Sequence, residues 1–242
     1  MKPIYLLSAL FLFSLRAQAP VPVPLAHGDV PGEPHHHLKI ENAYVRAYYV
    51  EVPPHDATQL HQHDNDYIFV TLGDSDVTNA VLGKPEAHLV LKDGEVHFTR
   101  GGFAHVARNN ADALFRNVTI EFLRPQGEAH NLGEQIVQGP LSDCRPARDP
   151  QVSIVPLFET GDTRLELLTL APQASFEMIG RTGRLLVAFD KAELQVHFSG
   201  KTSVLHSGDA IWLPPGDGWK QTVKNLARAP SRYLTVFVNS SL

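Results

Sequence analysis

From residue 38 to residue 123 the chain is a succession of short runs rich in Val, Ile, Tyr, Phe and Thr, at 43–52, 67–72, 87–91, 96–99 and 114–123. Pro53-Pro54, Gly73-Asp74, Lys92-Asp93-Gly94 and Asn109-Asn110 punctuate them. β-Branched and aromatic residues suit a half-buried pleated strand, whereas Gly, Pro, Asn and Asp suit the turns between strands. No stretch of this region sustains a helical period. Many short strands at even spacing predict an all-β sandwich or barrel, and a closed or nearly closed barrel gives inward-pointing side chains a shielded interior.

A second series begins near Val152 and continues through 164–170, 184–189, 194–198, 210–213 and 233–238. The intervening stretch has no clear period and carries Pro125, Gly127, Gly133, Gly139, Pro140, Pro146 and Pro150, so it reads as a domain boundary. The two series resemble copies of one unit. Gly94 with Gly208, Arg100 with Pro214, Gly102 with Gly216 and His105 with Trp219 are each 114 apart, and Pro54 with Pro172 and Val77 with Leu194 show a slightly longer offset. Under either offset His61 and His63 fall on Met178 or Ile179 and on Gly180 or Arg181. The second copy therefore lacks the histidines of the first, and its Met178 and Trp219 read as core filling.

Those histidines are the sharpest chemical signal. Of 13 in the chain, only His197 and His206 follow residue 130. On a strand, residues i and i+2 share a face, so His61 and His63 present two imidazoles to one space, and His105 brings a third from elsewhere. Three imidazoles suffice to hold a first-row transition ion with positions left for water or substrate. Imidazole accepts several such ions, so the donors alone leave open iron, zinc, manganese, copper or nickel.

Composition sets the surroundings. The chain has 242 residues, 43% hydrophobic and 19% charged, with net charge −5 and no basic run, so nothing attracts a nucleic-acid backbone or an anionic membrane surface. Lys2, an apolar run over 4–15 and Ala17-Gln18-Ala19 before Pro20 form an export signal, predicting a secreted or periplasmic protein with no membrane span after cleavage. Pro20, Pro22, Pro24, Pro31 and Pro34 make 20–37 an extended Pro/His-rich arm. His35, His36 and His37 read there as solvated residues and are not counted in the site. The only cysteine, Cys144, cannot form an intramolecular disulfide and reads as an inert linker thiol.

Together these residues carry a family resemblance. The chain resembles the cupin superfamily, whose second motif, G-x5-P-x-G-x2-H-x3-N, is matched in spacing by Gly94, Gly102, His105 and Asn109, with Arg100 in the proline place. His61, His63 and Gly73 match the first motif, but Tyr67 and Ile68 stand where the family has a glutamate. The resemblance spans residues 38–123 and 152–240. It implies a secreted bicupin of two tandem double-stranded β-helix, or jelly-roll, barrels: a signal peptide at 1–19, an arm at 20–37, a metal-type barrel at 38–123, a linker at 124–151 and a degenerate barrel at 152–242.

The implied metal ligands are His61, His63 and His105. Asp66 and Tyr67 are the candidates for a fourth ligand or a pocket group: Asp66 if it sits in a turn or bulge, Tyr67 if its phenol faces the interior. Glu95, His97 and His88 are candidate outer groups or plain exposed strand residues, and Arg100 is either a carboxylate fork or a solvent-facing turn residue. No catalytic residue is assigned. Three functions follow: a metal-dependent, oxygenase-type enzyme acting on a small anionic or enolisable molecule; a non-catalytic metal- or small-molecule-binding protein of the cell envelope; and a structural bicupin without metal.

Overall fold

Strand β3 (Val45–Val52) shows how this sequence makes a two-faced sheet. Side chains alternate across a strand. Val45 and Ala47 join one apolar cluster, while Tyr48, Val50 and Val52 join another on the opposite face. β10 (Phe115–Phe122) repeats the pattern, with Val118, Ile120 and Phe122 on the first face and Phe115 on the second. The computed structural model describes residues 28–131, 151–216 and 218–238. The expected signal segment at 1–19, residues 20–27 of the arm, most of the linker and Cys144 lie outside the described residues.

Two sheets form the first barrel. In one, β1 (Gly28–Asp29), β4 (His61–His63), β9 (Phe103–Asn109), β6 (Ser75–Val81) and β7 (Ala87–Leu91) lie side by side; in the other, β2 (His36–Glu41), β3, β10, β5 (Tyr67–Thr71) and β8 (Val96–Thr99). The second barrel repeats this plan. A six-stranded sheet orders β11 (His130–Asn131), β12 (Val152–Glu159), β13 (Thr163–Leu170), β20 (Ser231–Val238), β15 (Gly183–Ala188) and β18 (Ala210–Leu213); a four-stranded sheet orders β14 (Ser175–Gly180), β19 (Trp219–Asn225), β16 (Glu193–Phe198) and β17 (Lys201–His206). No α-helix occurs among the described residues, so none is long and apolar enough to cross a membrane.

The barrels share a core. Ile68, Val118, Ile120 and Phe122 of the first pack in one buried cluster with Leu165, Leu185, Phe189, Leu234 and Val236 of the second. Each fully buried side chain of this kind stabilises by about 1.5–3 kcal/mol. The join is pseudo-symmetric. Gly94 and Gly208 both have φ +79°, and a Cβ at Gly94 would meet Phe189 and Arg232, whereas one at Gly208 would meet Tyr49 and Leu72. Leu72 and Phe189 are themselves equivalent, since each donates its backbone N–H to the strand residue Arg116 or Arg232.

Strand register corrects one pairing read from the sequence. His61 lies opposite His105, and Met178 lies opposite Gln221, so the counterpart of His105 is Gln221 and not Trp219. Residues 100–102 join β8 to β9, but 214–218 join β18 to β19, and those two extra residues shift the offset after the turn. Met178 and Gly180 do stand where His61 and His63 stand in the first barrel. Met178 is buried.

Candidate metal centre

β4 is only three residues long, yet it fixes the site: its alternation buries His61 and His63 and turns Gln62 outward. Antiparallel pairing places His105 of β9 directly opposite His61. The three rings gather, with centroids 5.1 Å apart for His61 and His63, 4.6 Å for His61 and His105, and 5.2 Å for His63 and His105.

A fourth imidazole joins them. The reading of His36 as a solvated arm residue is overturned: its ring lies 4.8 Å from that of His61, and ligand atoms of His36, His61 and His63 fall within 4.8 Å of one another. The arm is short of solvent because its last residues are built into the barrel. Gly28 and Asp29 pair in parallel with His61 and Gln62, Val30 is buried in the barrel's apolar cluster, and Glu33 is buried beneath.

Hydrogen bonds set the orientation of these rings. His61 Nδ1 donates to the Gln59 carbonyl at 2.8 Å, His105 Nδ1 to Asn79 Oδ1 at 2.7 Å and His36 Nδ1 to Glu33 Oε2 at 2.6 Å. The Gln59 carbonyl and the Glu33 carboxylate can only accept, so His61 and His36 carry the proton on Nδ1 and the lone pair on Nε2; His105 does the same with the Asn79 amide oxygen turned toward it. His63 Nδ1 is buried without a hydrogen bond, 3.5 Å from Glu121 Oε1.

The consequence is decisive for the donor set. His61 Nε2 and His105 Nε2 face each other 3.2 Å apart. Two lone pairs at that separation repel unless a positive centre draws them together. Neither ring is an imidazolium at neutral pH: burial lowers the His61 pKa to about 4, and burial together with the neighbouring His61, His63 and His36 lowers that of His105 to about 2. Nitrogens about 2.1 Å from one metal ion stand roughly 3.0–3.4 Å apart at angles between right and tetrahedral. His61 and His105 are therefore spaced to share a divalent ion, while the group of three whose ligand atoms lie within 4.8 Å of one another is His36, His61 and His63.

Neither candidate for the carboxylate's place points inward as a free ligand. Asp66 accepts from Gly101 N at 3.0 Å and from Arg100 Nη1 at 2.7 Å, so its carboxylate caps a turn. Arg100, thus engaged, lies over Phe98 and does not line the cavity. Tyr67 does line it, its ring stacked on His63 at 4.2 Å, but its phenol is hydrogen-bonded to Thr99 and burial pushes its pKa up to about 12. His88 pairs with Asp76 at an exposed edge. His97 pairs with Glu95 and stacks on Phe69. Glu33, Asn79 and Glu121 went unassigned in the sequence because no local motif marks a partner from another strand.

Beneath the histidines lies a cavity of about 540 Å³, counted with its opening. Val50, Phe69, Val77, Leu89, Leu91 and Phe115 give it apolar walls, Thr58, Asn79, Asn117 and Thr119 give it polar points, and no Lys or Arg lines it. An imidazole cluster over such a cavity can bind an ion and hold a small molecule beside it.

No protein-family model and no curated protein matches the chain. Solved structures do. AerE from Microcystis aeruginosa superposes with TM-score 0.56 at 11% identity over 86% of this chain and 99% of that one. Salicylate 1,2-dioxygenase from Pseudaminobacter salicylatoxidans gives 0.58 at 12% over 84% and 76%. A cupin 2 conserved barrel domain protein from Leptotrichia buccalis gives 0.52 at 11% over 84% and 88%. The chain has the cupin fold, twice. At such identities the likeness concerns the fold, and the two barrels here differ at the site. In the second, Met178, Gly180 and Gln221 replace the three motif histidines and Arg184 stands at the place of Tyr67, as the strand pairings show.

Proposed function

We propose that this cupin-fold chain is an exported bicupin whose first barrel holds a divalent transition ion on His61, His63 and His105 and uses it for oxygenase-type chemistry on a small molecule. The single observation that carries the reading is the pair of Nε2 atoms 3.2 Å apart, each on a ring whose far nitrogen meets an oxygen, the Gln59 carbonyl or Asn79 Oδ1. A similar solved structure is described as a salicylate 1,2-dioxygenase with gentisate adducts, which makes oxygen chemistry on a small ring compound the first activity to assay.

A bound ion would supply Lewis acidity and, if redox-active, a means of engaging dioxygen. The chain's own residues do the rest. Gln59 and Asn79 hold the ligand rings in one tautomer, which keeps their lone pairs on the ion. The Val50–Phe69–Val77–Leu91–Phe115 wall keeps water from the substrate's apolar body. With no cation in the cavity, a substrate's negative group has the ion as its partner, so molecules with one charged or enolisable group fit better than those with several.

Metal analysis of the purified mature protein tests this reading. We expect about one ion per chain, lost in His61→Ala and in His105→Ala, since ligand removal dismantles a small site. Oxygen uptake with small enolisable or aromatic acids then separates an enzyme from a metal store. Metal-free protein whose composition those substitutions leave unchanged would leave a structural bicupin. Export is tested by N-terminal sequencing of the secreted form, with a start at Pro20 expected.

A further inference from the structure

We infer that His36 is a fourth ligand of this centre and that Glu33 is the positioning residue that aims it. This rests on the three-histidine reading above and adds to it a ligand from outside both sequence motifs.

The place of the family's glutamate is chemically open, because Asp66 is spent on Gly101 and Arg100 and the Tyr67 phenol on Thr99. His36 approaches the same space from β2. Its Nδ1 is committed to Glu33, which leaves Nε2 as the coordinating atom, and one ring nitrogen of His36 lies within 4.8 Å of one from His61 and one from His63. This ring does not ride on a loose tail. Asp29 accepts from Gly32 N at 3.0 Å, Gly28 N donates to Leu60 O, Val30 is 1% exposed and His36 pairs with Val50 of β3, so the segment that carries Glu33 and His36 is pinned at both ends.

Glu33 is the second observation. Its carboxylate is fully buried, yet it meets no Lys or Arg; it accepts from His35 N at 2.8 Å, Gln59 N at 3.1 Å and the rings of His35 and His36. Glu121, also buried, lies beside His63. A buried carboxylate needs its oxygens occupied by donors, and the ring of His36 is one of the donors that Glu33 has. Glu33 and Glu121 stand behind two of the rings, at His36 Nδ1 and His63 Nδ1. Carboxylate–histidine–metal relays of this kind tune affinity by about 10–100-fold.

Copper(II) loading of the full mature chain provides the test, read by electron paramagnetic resonance and by affinity. Wild-type protein should show superhyperfine coupling to four nitrogens and His36→Ala to three, with affinity about 10–100-fold weaker. Glu33→Gln should keep four nitrogens but lose about tenfold in affinity, because the ring remains while its charge support goes. His36→Gly with added imidazole should regain the fourth nitrogen, which a merely structural role for His36 would not produce. If His36→Ala fails to fold, His36→Gln, which preserves volume and a donor to Glu33, is compared instead. An unchanged nitrogen count in the folded His36 variant, with affinity within about twofold, overturns the inference and leaves the three-histidine site standing. Wild-type protein that binds no copper overturns both.

Discussion

Asn109 shows how a motif residue acquires meaning from its contacts. It matches the cupin pattern that also contains His105, but its amide nitrogen donates to the carbonyls of Val52, Pro53 and Ala113, and its Oδ1 accepts from Ala111 N. Asn225 in the barrel without histidines repeats the set with Leu170, Ala171, Ala229 and Ala227. A residue conserved in function across a metal-type and a non-metal-type barrel serves the fold. Asn225→Ala and Asn109→Ala should each cost roughly 3 kcal/mol, as buried carbonyls lose their donor, and neither should lower metal content. Chemical denaturation together with metal analysis checks both halves, and loss of metal from folded Asn109→Ala would return that residue to the site. Asp66→Asn and Tyr67→Phe divide along the same line. Asp66 pairs with a half-exposed Arg100, so the first should cost about 0–1 kcal/mol, and the second about 1 kcal/mol for the lost Thr99 bond. Full metal occupancy in both variants is expected; a drop in either would identify it as a ligand.

At the level of strands and turns, the two glycine-bearing turns that join the barrels are the most constrained elements. Gly208 combines φ +79° with a neighbour, Tyr49, only 2.6 Å from where a Cβ would stand, so Gly208→Ala must both strain the backbone and push an aromatic ring. The expected cost is about 2–4 kcal/mol, measured by thermal or urea unfolding, and a neutral result would mean that the turn is free to move. Such turns were legible in the sequence, as were β3, β5, β7, β8 and β10, whose dense Val, Ile, Tyr and Phe leave little choice. β6 and β9 were not, because Ser-Asp-Val-Thr-Asn-Ala-Val and Phe-Ala-His-Val-Ala-Arg-Asn line a partly polar cavity and so lack the apolar alternation of a packed strand. His36 was missed for a different reason. Proline and consecutive histidines look like a tether by composition, but Val30 and Glu33 reach the barrel interior, and tertiary packing decides the matter. His61, His63 and His105 were legible because strand alternation is local, whereas Glu121 meets His63 from a strand 58 positions later in the chain and leaves no local trace.

For the molecule as a whole, the shared core makes the two barrels one folding unit despite their separate interiors. Ile68, Val118 and Ile120 would face water if the first barrel stood alone, and Leu185, Phe189 and Leu234 if the second did. Unfolding should therefore be a single transition, although the proposed ion would touch only one barrel. Phe189 offers the sharpest probe, being a second-barrel residue that is 0% exposed and that packs toward Gly94 of the first. Phe189→Ala should cost about 3–5 kcal/mol, and metal release on heating should shift down together with the loss of second-barrel structure. Metal should act in the opposite direction across the same join. Free ion at about 1,000 times its dissociation constant adds roughly 4 kcal/mol to the folded state, and a shared core passes that stabilisation to strands that never meet the ion. Calorimetry of metal-loaded and chelated protein checks this, with one peak expected in both and its midpoint higher when loaded. Two peaks, of which only one moved on chelation, would show that the barrels unfold independently and that the cluster between them is a contact surface and not a common core.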